Sequence, residues 1–338
     1  MSEFSPLLLL ITAATAAVIT YAAIAAAIGW LTSRALAKPN PRSSHTVPTP
    51  QGAGIVIVPI ALLVAAIALA WSGSRLPPDF TYLTVVAIAA LALTAIGFID
   101  DIRGLGVVSR LVSQVAAVGL AIMLMPSELR IVPAIPLPIE RVLLIGAALW
   151  FVNLFNFMDG IDLISAIETI AVGIGVVLLA LIGAVPAAYG IVAVALVGAM
   201  LAFVPWNTPV ARLFLGDAGS IPIGFLLAIL LIHVAANGAF AAALILPLYY
   251  LADATITLVW RFWRGERVWE AHRQHFYQQA TQNGFTVIET VARIAILDAV
   301  LIGLAIFATL SGGFSAGIAV VIAAAGVAAL LRSFAAGR

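Results

Sequence analysis

The chain is poor in charge and has no cysteine at all. Charged residues fill 9% of its 338 positions, against roughly a quarter in an ordinary soluble domain. That deficit leaves too little polar surface to cover a water-facing globule. The net charge of +1 says nothing about nucleic acid, but the few basic residues form no patch large enough for it, so no nucleic-acid partner is expected. Without cysteine there is no disulfide framework and no thiolate metal site. The first residues also carry no Lys or Arg. The chain starts with Glu3 as its first charge, and the apolar run from about Pro6 to Trp30 is longer than the roughly 7–15 residues of a signal-peptide core. It is expected to be a retained first spanning helix.

What is present is apolar surface. Hydrophobic residues make up 64% of the chain, and the mean hydropathy is +1.17. A spanning helix needs about 20 apolar residues. Candidate runs lie near 6–31, 52–71, 81–99, 107–125, 142–157, 164–183, 186–204, 219–235, 238–260, 291–310 and 315–332. The expected fold is an all-α integral membrane protein, a polytopic bundle of about eleven transmembrane helices forming one domain over residues 1–338. The breaks at Gly183–Pro186 and Asn237–Gly238 are the weakest, so ten helices is the alternative count.

Basic residues orient such a bundle. With the N-terminus outside, the cytoplasmic segments hold Arg34, Lys38, Arg42, Arg103, Arg110, Arg212, Arg261, Arg264, Arg267, Arg273, Arg293, Arg332 and Arg338. The other side keeps Arg75, Arg130 and Arg141. The C-terminus is then cytoplasmic. Trp260, Trp263 and Trp269 cluster where the ninth helix would leave the bilayer, as interfacial aromatics do. The longest extramembrane segment, about 261–290, is too short for a soluble domain.

The acids gather on the cytoplasmic side of this topology. An intramembrane carboxylate is costly and usually functional. Asp100 and Asp101 end the third helix; adjacent carboxylates repel and ionise together comfortably only beside a cation. A solvated turn neutralised by Arg103 is the plainer alternative. Asn153, Asn156, Asp159 and Asp162 follow one another at a spacing of three, close to one helical face. Their amides suit a base edge or sugar hydroxyl, or else a polar seam between helices. Gly216, Asp217, Gly219 and Ser220 open the eighth helix. Its N-terminal N–H groups would suit phosphate, and Asp217 would suit Mg²⁺, although simple capping explains the same residues. His272, Arg273 and His275 suit a pyrophosphate, or a basic loop against anionic lipid; zinc is not expected. Asp253 and Glu168 rank above Asp298 as further residues lining a cavity.

Together these segments resemble the bacterial polyprenyl-phosphate N-acetylhexosamine-1-phosphate transferases, glycosyltransferase family 4, related to the phospho-N-acetylmuramoyl-pentapeptide transferase. The resemblance spans about residues 38–275 and keeps the motif order: Pro39 to His45, Pro48 to Pro50, Gly52 to Gly54, Asp100–Asp101, Asn153 to Asp162, Gly216 to Ser220, and His272 to His275. It implies ten or eleven helices and an active site on the cytoplasmic face of the bacterial inner membrane. A sugar 1-phosphate would pass from a UDP-N-acetyl sugar to undecaprenyl phosphate, releasing UMP. It implies Mg²⁺, with Mn²⁺ as a substitute, on Asp217 with Asp100. Asp100 and Asp101 would sit at the acceptor phosphate. Asn156 and Asp159, with Asn153 or Asp162, would hold the nucleotide, and His272, Arg273 and His275 the diphosphate or sugar. His45 and Gly216 complete the substrate-binding set. A homodimer is compatible with all of this.

Two positions depart from the pattern. Leu163 stands where the family continues its Asp-Gly-x-Asp segment with Gly, and Gln51 stands where Arg commonly precedes the glycines, which Ala53 then interrupts. An ion-coupled transporter is the second function class. It would carry acids near the bilayer midplane and paired halves. A non-catalytic membrane scaffold is the third, and it would need no metal.

Overall fold

A computed structural model describes residues 5–37, 47–72, 80–267 and 272–338. The chain runs through α1 (Pro6–Arg34), a short antiparallel pair β1 (Leu36–Ala37) and β2 (Thr49–Pro50), then α2 (Gly54–Trp71), α3 (Phe80–Arg103), α4 (Val107–Met123) and α5 (Leu137–Met158). Next come α6 (Ile164–Leu181), α7 (Ala187–Asn207), α8 (Asp217–Ala236), α9 (Phe240–Ile245) and α10 (Leu248–Trp263). The chain ends with α11 (Phe276–Gln282), α12 (Val287–Ser311) and α13 (Gly313–Ala336).

Among the described residues nine helices, α1–α3, α5–α8, α12 and α13, are long and apolar enough to cross a membrane. This is an all-α polytopic membrane fold. The eleven expected runs correspond to these nine, the shorter α4, and one run that the structure divides. The run near 238–260 is broken into α9 and α10 at Pro247, which has no N–H to continue the helical ladder. The two weakest breaks are real. Gly183 and Gly238 both take positive φ, at +78° and +93°, where a side chain would be strained. Large apolar side chains such as Leu10, Val18, Trp71, Val142 and Phe314 remain exposed around the bundle, as a lipid-facing surface requires.

The architecture is organised around α8. Every residue from Ala218 to Ala235 is buried, and α2, α3, α5, α6 and α9 pack around the helix. Glycines let its N-terminal end approach its neighbours closely. A Cβ on Gly97 of α3 would lie 2.3 Å from the Asp217 carbonyl oxygen, and one on Gly54 of α2 would lie 2.1 Å from Gly219 Cα. A second tie is made by backbone. Phe214 N–H donates to the Pro50 carbonyl (2.9 Å), while Ala53 and Gly54 donate to the carbonyls of Phe214 and Leu215 (both 3.1 Å). The segment entering α2 is thus stitched to the segment entering α8.

The opposite end of α5 is self-neutralised. Glu140 pairs with Arg130 and accepts the N–H groups of Ile131 (2.7 Å) and Val132 (2.8 Å). Buried Arg141 donates to the carbonyls of Met125 and Pro126, just beyond the end of α4. These are two of the arginines assigned to the far side; Arg75, like Lys38, Arg42, His45 and Trp269, lies outside the described residues.

Gly97→Ala and Gly54→Ala are each expected to lower stability by about 1–3 kcal/mol, because backbone rather than a flexible side chain meets the new methyl. Gly119→Ala, with nothing within 4 Å of its Cβ, is expected to be neutral or slightly stabilising. Thermal unfolding in one detergent checks the contrast; equal effects at all three positions would contradict it.

Candidate functional site

The ends of α3 and α5, the starts of α4 and α8, and α11 meet at one end of the bundle. The meeting point is the start of α8. A helix N-terminus presents unpaired N–H groups and a partial positive charge. Here Asp101, from the end of α3, answers both: its Oδ1 accepts Asp217 N–H (2.9 Å) and its Oδ2 accepts Ala218 N–H (3.1 Å). The next two N–H groups, from Gly219 and Ser220, donate to the Gly216 carbonyl (3.0 and 2.9 Å). The first turn of α8 is therefore satisfied within the protein. This corrects the expectation that its N–H groups stand open to phosphate. Gly216 serves the same contact: with φ at +72°, a Cβ there would lie 2.4 Å from Asp101 Oδ2. Gln51 donates its side-chain amide to the Asp101 carbonyl (2.9 Å), so the residue standing where the family commonly has Arg braces the same helix end.

With Asp101 engaged on backbone, Asp100 and Asp217 are brought together. Asp217 Oδ2 lies 3.1 Å from Arg110 Nη1, and Asp100 Oδ2 lies 3.2 Å from the same nitrogen. Asn156 donates to Asp217 Oδ1 (2.8 Å) and lies 2.8 Å from Ser220 Oγ. Asp100 Oδ1 accepts Leu105 N–H, while its Oδ2 is buried without a hydrogen bond. Two carboxylates from different helices, one with an oxygen that accepts no hydrogen bond, form a hard oxygen set suited to Mg²⁺. That ion takes one or two carboxylates and completes its shell with water and phosphate oxygens. Among the described residues no group of three or more His, Cys, Asp or Glu could hold a metal, so a cation here would depend on such outside ligands.

The Asn153-to-Asp162 segment is divided in its contacts. Asn153 turns away from Asp217 and donates to Gln114 Oε1 (2.8 Å) and the Leu149 carbonyl (2.8 Å), a polar seam between α5 and α4. Asp162 accepts Ala211 N–H (3.1 Å). Asp159 accepts the Ser165 hydroxyl at 2.7 Å. Burial raises its pKa to about 7, the Ser165 hydrogen bond opposes that rise, and the charges of Asp217 and Asp162 add to it. Leu163 sits at φ +70°, the left-handed region, with its N–H on Asn207 Oδ1 (2.6 Å). The glycine expected there from the resemblance would relieve a strained conformation that Leu163 adopts anyway.

The histidine segment is built on Asp253. This buried carboxylate of α10 accepts the N–H groups of Phe276 (3.0 Å) and Tyr277 (3.1 Å) and the Tyr249 hydroxyl (3.1 Å). It also lies 3.1 Å from His275 Nδ1. His275 is buried as the N-cap of α11. Half-buried His272 stacks on it at 4.7 Å, and Arg273 is exposed. Burial first, then the neighbouring His275 and Arg261, lowers the His272 pKa to about 3, so its ring is neutral at neutral pH. Tyr277 joins this segment to the Asp159 loop: its hydroxyl donates to the Phe157 carbonyl (3.2 Å), and a Cβ on Gly160 would lie 2.1 Å from its oxygen. Glu168 and Asp298 are buried against one another between α6 and α12, and Asp253 is closed in by its partners. None of the three is exposed, as a residue lining an open cavity would be.

Sequence reasoning used Arg110 only to set orientation and did not single out Gln114, Ser165 or Tyr277 as site residues. A signal for the first two was present. Arg110 and Gln114 lie four apart in an apolar helix directly after the acidic pair, a spacing that puts them on one face.

The polar groups of a polytopic membrane fold thus converge where helices α3, α5 and α8 end or begin. Residues 83–235, which carry most of these groups, match the glycosyl transferase family 4 model. The chain is 30% identical over 237 residues to a decaprenyl-phosphate N-acetylglucosaminephosphotransferase of Mycobacterium leprae, covering 63% of this chain and 58% of that protein. A protein of the same name from Mycobacterium tuberculosis is 30% identical over 63% of this chain and 57% of its own length. A phospho-N-acetylmuramoyl-pentapeptide-transferase of a Synechococcus species is 28% identical over 59% of this chain and 60% of its own. The matched region spans less than two thirds of these relatives. The resemblance read from the motifs is borne out: the chain is similar to glycosyl transferase family 4 and to its polyprenyl-phosphate sugar-phosphate transferases.

Asp159 gives a pH prediction. With its pKa raised from 3.8 to about 7, the folded protein keeps a proton that the unfolded chain releases. Its contribution to stability is fully present below pH 3.8 and is lost as pH rises through about 7. Asp159→Asn should remove this part of the decline. Melting curves of both proteins from pH 5 to 8 check it; parallel profiles would contradict it.

Proposed function

We propose that the protein transfers a sugar 1-phosphate from a UDP-N-acetylhexosamine to a polyprenyl phosphate, with undecaprenyl phosphate as the acceptor expected in a bacterial inner membrane. The observation that carries this reading is the pairing of Asp100 and Asp217 about a single guanidinium beside Asn156. The named activities of the similar mycobacterial and cyanobacterial proteins support it, and make N-acetylglucosamine the first donor to test.

In the proposed reaction a phosphate oxygen of the lipid attacks the β-phosphorus of the donor. The bond from that phosphorus to the bridging oxygen breaks, and UMP leaves with the bridging oxygen. The product is a lipid-diphosphate-sugar, the kind of intermediate that starts a cell-envelope polysaccharide. Asp217 and Asp100 would hold Mg²⁺, which when bound supplies neutralisation of the diphosphate charge. Asn156 fixes the Asp217 carboxylate through its amide. Asp101 is assigned to positioning α8 rather than to the acceptor phosphate, because both of its oxygens serve backbone N–H groups. Asp159, beside Ser165 and the Tyr277 contact, is assigned to the nucleotide. Half-buried His272 and exposed Arg273 are assigned to the diphosphate or sugar, with His275 orienting His272 by stacking. The carboxylates Asp100, Asp159 and Asp217 share one end of the bundle, which favours this reading over an ion-coupled transporter.

The test is UMP release by purified protein given undecaprenyl phosphate, Mg²⁺ and a panel of UDP-N-acetyl sugars. Asp217→Asn and Asp100→Asn are each expected to lose roughly a hundred-fold or more, the scale of removing an electrostatic contact to a phosphoryl group in flight. Folded protein that releases no UMP with any donor and binds none of them would sink the proposal. Asp101→Asn should separate from these two by losing stability, about 1–3 kcal/mol, as one N–H of α8 loses its acceptor.

A further inference from the structure

Arg110 holds Asp100 and Asp217 in an arrangement that is unusual for arginine. Arginine normally grips a carboxylate with two parallel N–H bonds. Here one nitrogen, Nη1, serves both acids, at 3.2 Å and 3.1 Å. Asp100 Oδ2 gains no hydrogen bond from it. A third of the Arg110 side chain is exposed, so part of the contact is solvent-screened. The turn before α4 is open as well, with nothing within 4 Å of a Cβ on Gly104 or Gly106. The contact neutralises without clamping.

We infer that Arg110 is an exchangeable counter-ion: in the metal-free state it pairs through one nitrogen with both Asp100 and Asp217, it gives up that place to a divalent cation, and it then faces the incoming lipid phosphate. The second half rests on the transferase reading; the first does not. Charge explains the order. Asp100 and Asp217, with the Asp101 carboxylate beside them, outweigh one guanidinium and leave a net negative group, which repels a phosphate. A divalent cation offsets that excess, so an anionic acceptor is no longer repelled once the metal has arrived. Arg110 is thus a positioning residue for the carboxylates in one state and an anion contact in the other.

Mn²⁺ binding, followed by electron paramagnetic resonance on the purified full chain without donor or acceptor, tests this. Arg110→Gln removes the competitor and is expected to bind Mn²⁺ roughly three- to ten-fold more tightly than wild type. Arg110→Lys keeps a competing charge and should stay near wild type, while Asp217→Asn should lose the site. Once loaded with Mn²⁺, Arg110→Gln should bind undecaprenyl phosphate more weakly than wild type. A static brace predicts the reverse for the metal: carboxylates left to repel one another and weaker Mn²⁺ binding. Unchanged or weakened binding in Arg110→Gln overturns the inference, as does Mn²⁺ binding that survives Asp217→Asn. Since the metal readout needs no substrate, a failure of UMP release would count against the transferase reading and leave this result standing.

Discussion

The Asp101 carboxylate on the first two N–H groups of α8 is the contact on which the rest of the site depends. A helix enclosed along its whole length cannot leave its N-terminal donors to water, and its positive end favours an anion. The anion comes from another helix, and reaching it requires two backbones to approach closely. Gly97 and Gly54 clear the space around the first turn of α8, and Gly216 clears the space around the carboxylate itself. Once α3 and α8 are joined in this way, Asp100 and Asp217 have little freedom: both meet one nitrogen of the same arginine, and Asn156 donates to Asp217.

The same device recurs at α11, where buried Asp253 accepts two N–H groups of another helix's first turn. Asp162 also turns to backbone, at Ala211. The acids of this end therefore divide by partner. Asp101, Asp162 and Asp253 face backbone donors and set where elements lie. Asp217 faces a side-chain cation, Asp100 gives one oxygen to that cation and the other to the Leu105 N–H, and Asp159 faces a hydroxyl. Tyr277 links the two halves of the arrangement by holding α11 against the end of α5.

Much of the fold was legible because spanning helices announce themselves by length and apolarity, and breaks at Gly183 and Gly238 by glycine. Pro247 was in plain view but lay inside a run whose apolarity hid the division into α9 and α10. The acidic clusters were legible as a group and not as individuals. Spacing along the chain cannot tell that Asp101 gives both of its oxygens to backbone N–H groups of a helix more than a hundred positions away, while its neighbour Asp100 pairs with a side-chain cation. Asn153 looked equivalent to Asn156 by spacing, yet it turns to Gln114, because successive steps of three drift around a helix. Arg110 was read as an orientation charge because a lone arginine at a membrane edge satisfies that rule without further explanation. At Leu163 the family pattern carried more than the residue did: the backbone keeps the left-handed turn that a glycine would favour.

In the proposed reaction a divalent cation and the donor diphosphate would meet at the Asp100–Asp217 pair. The most direct measurement is an anomalous-scattering map of crystals grown with Mn²⁺ and UMP. A Mn²⁺ peak between Asp100 and Asp217, with the nucleotide reaching toward Asn156 and Asp159, is the predicted result. A peak elsewhere, such as at His272 and His275, or a nucleotide bound away from this end of the bundle, would contradict it.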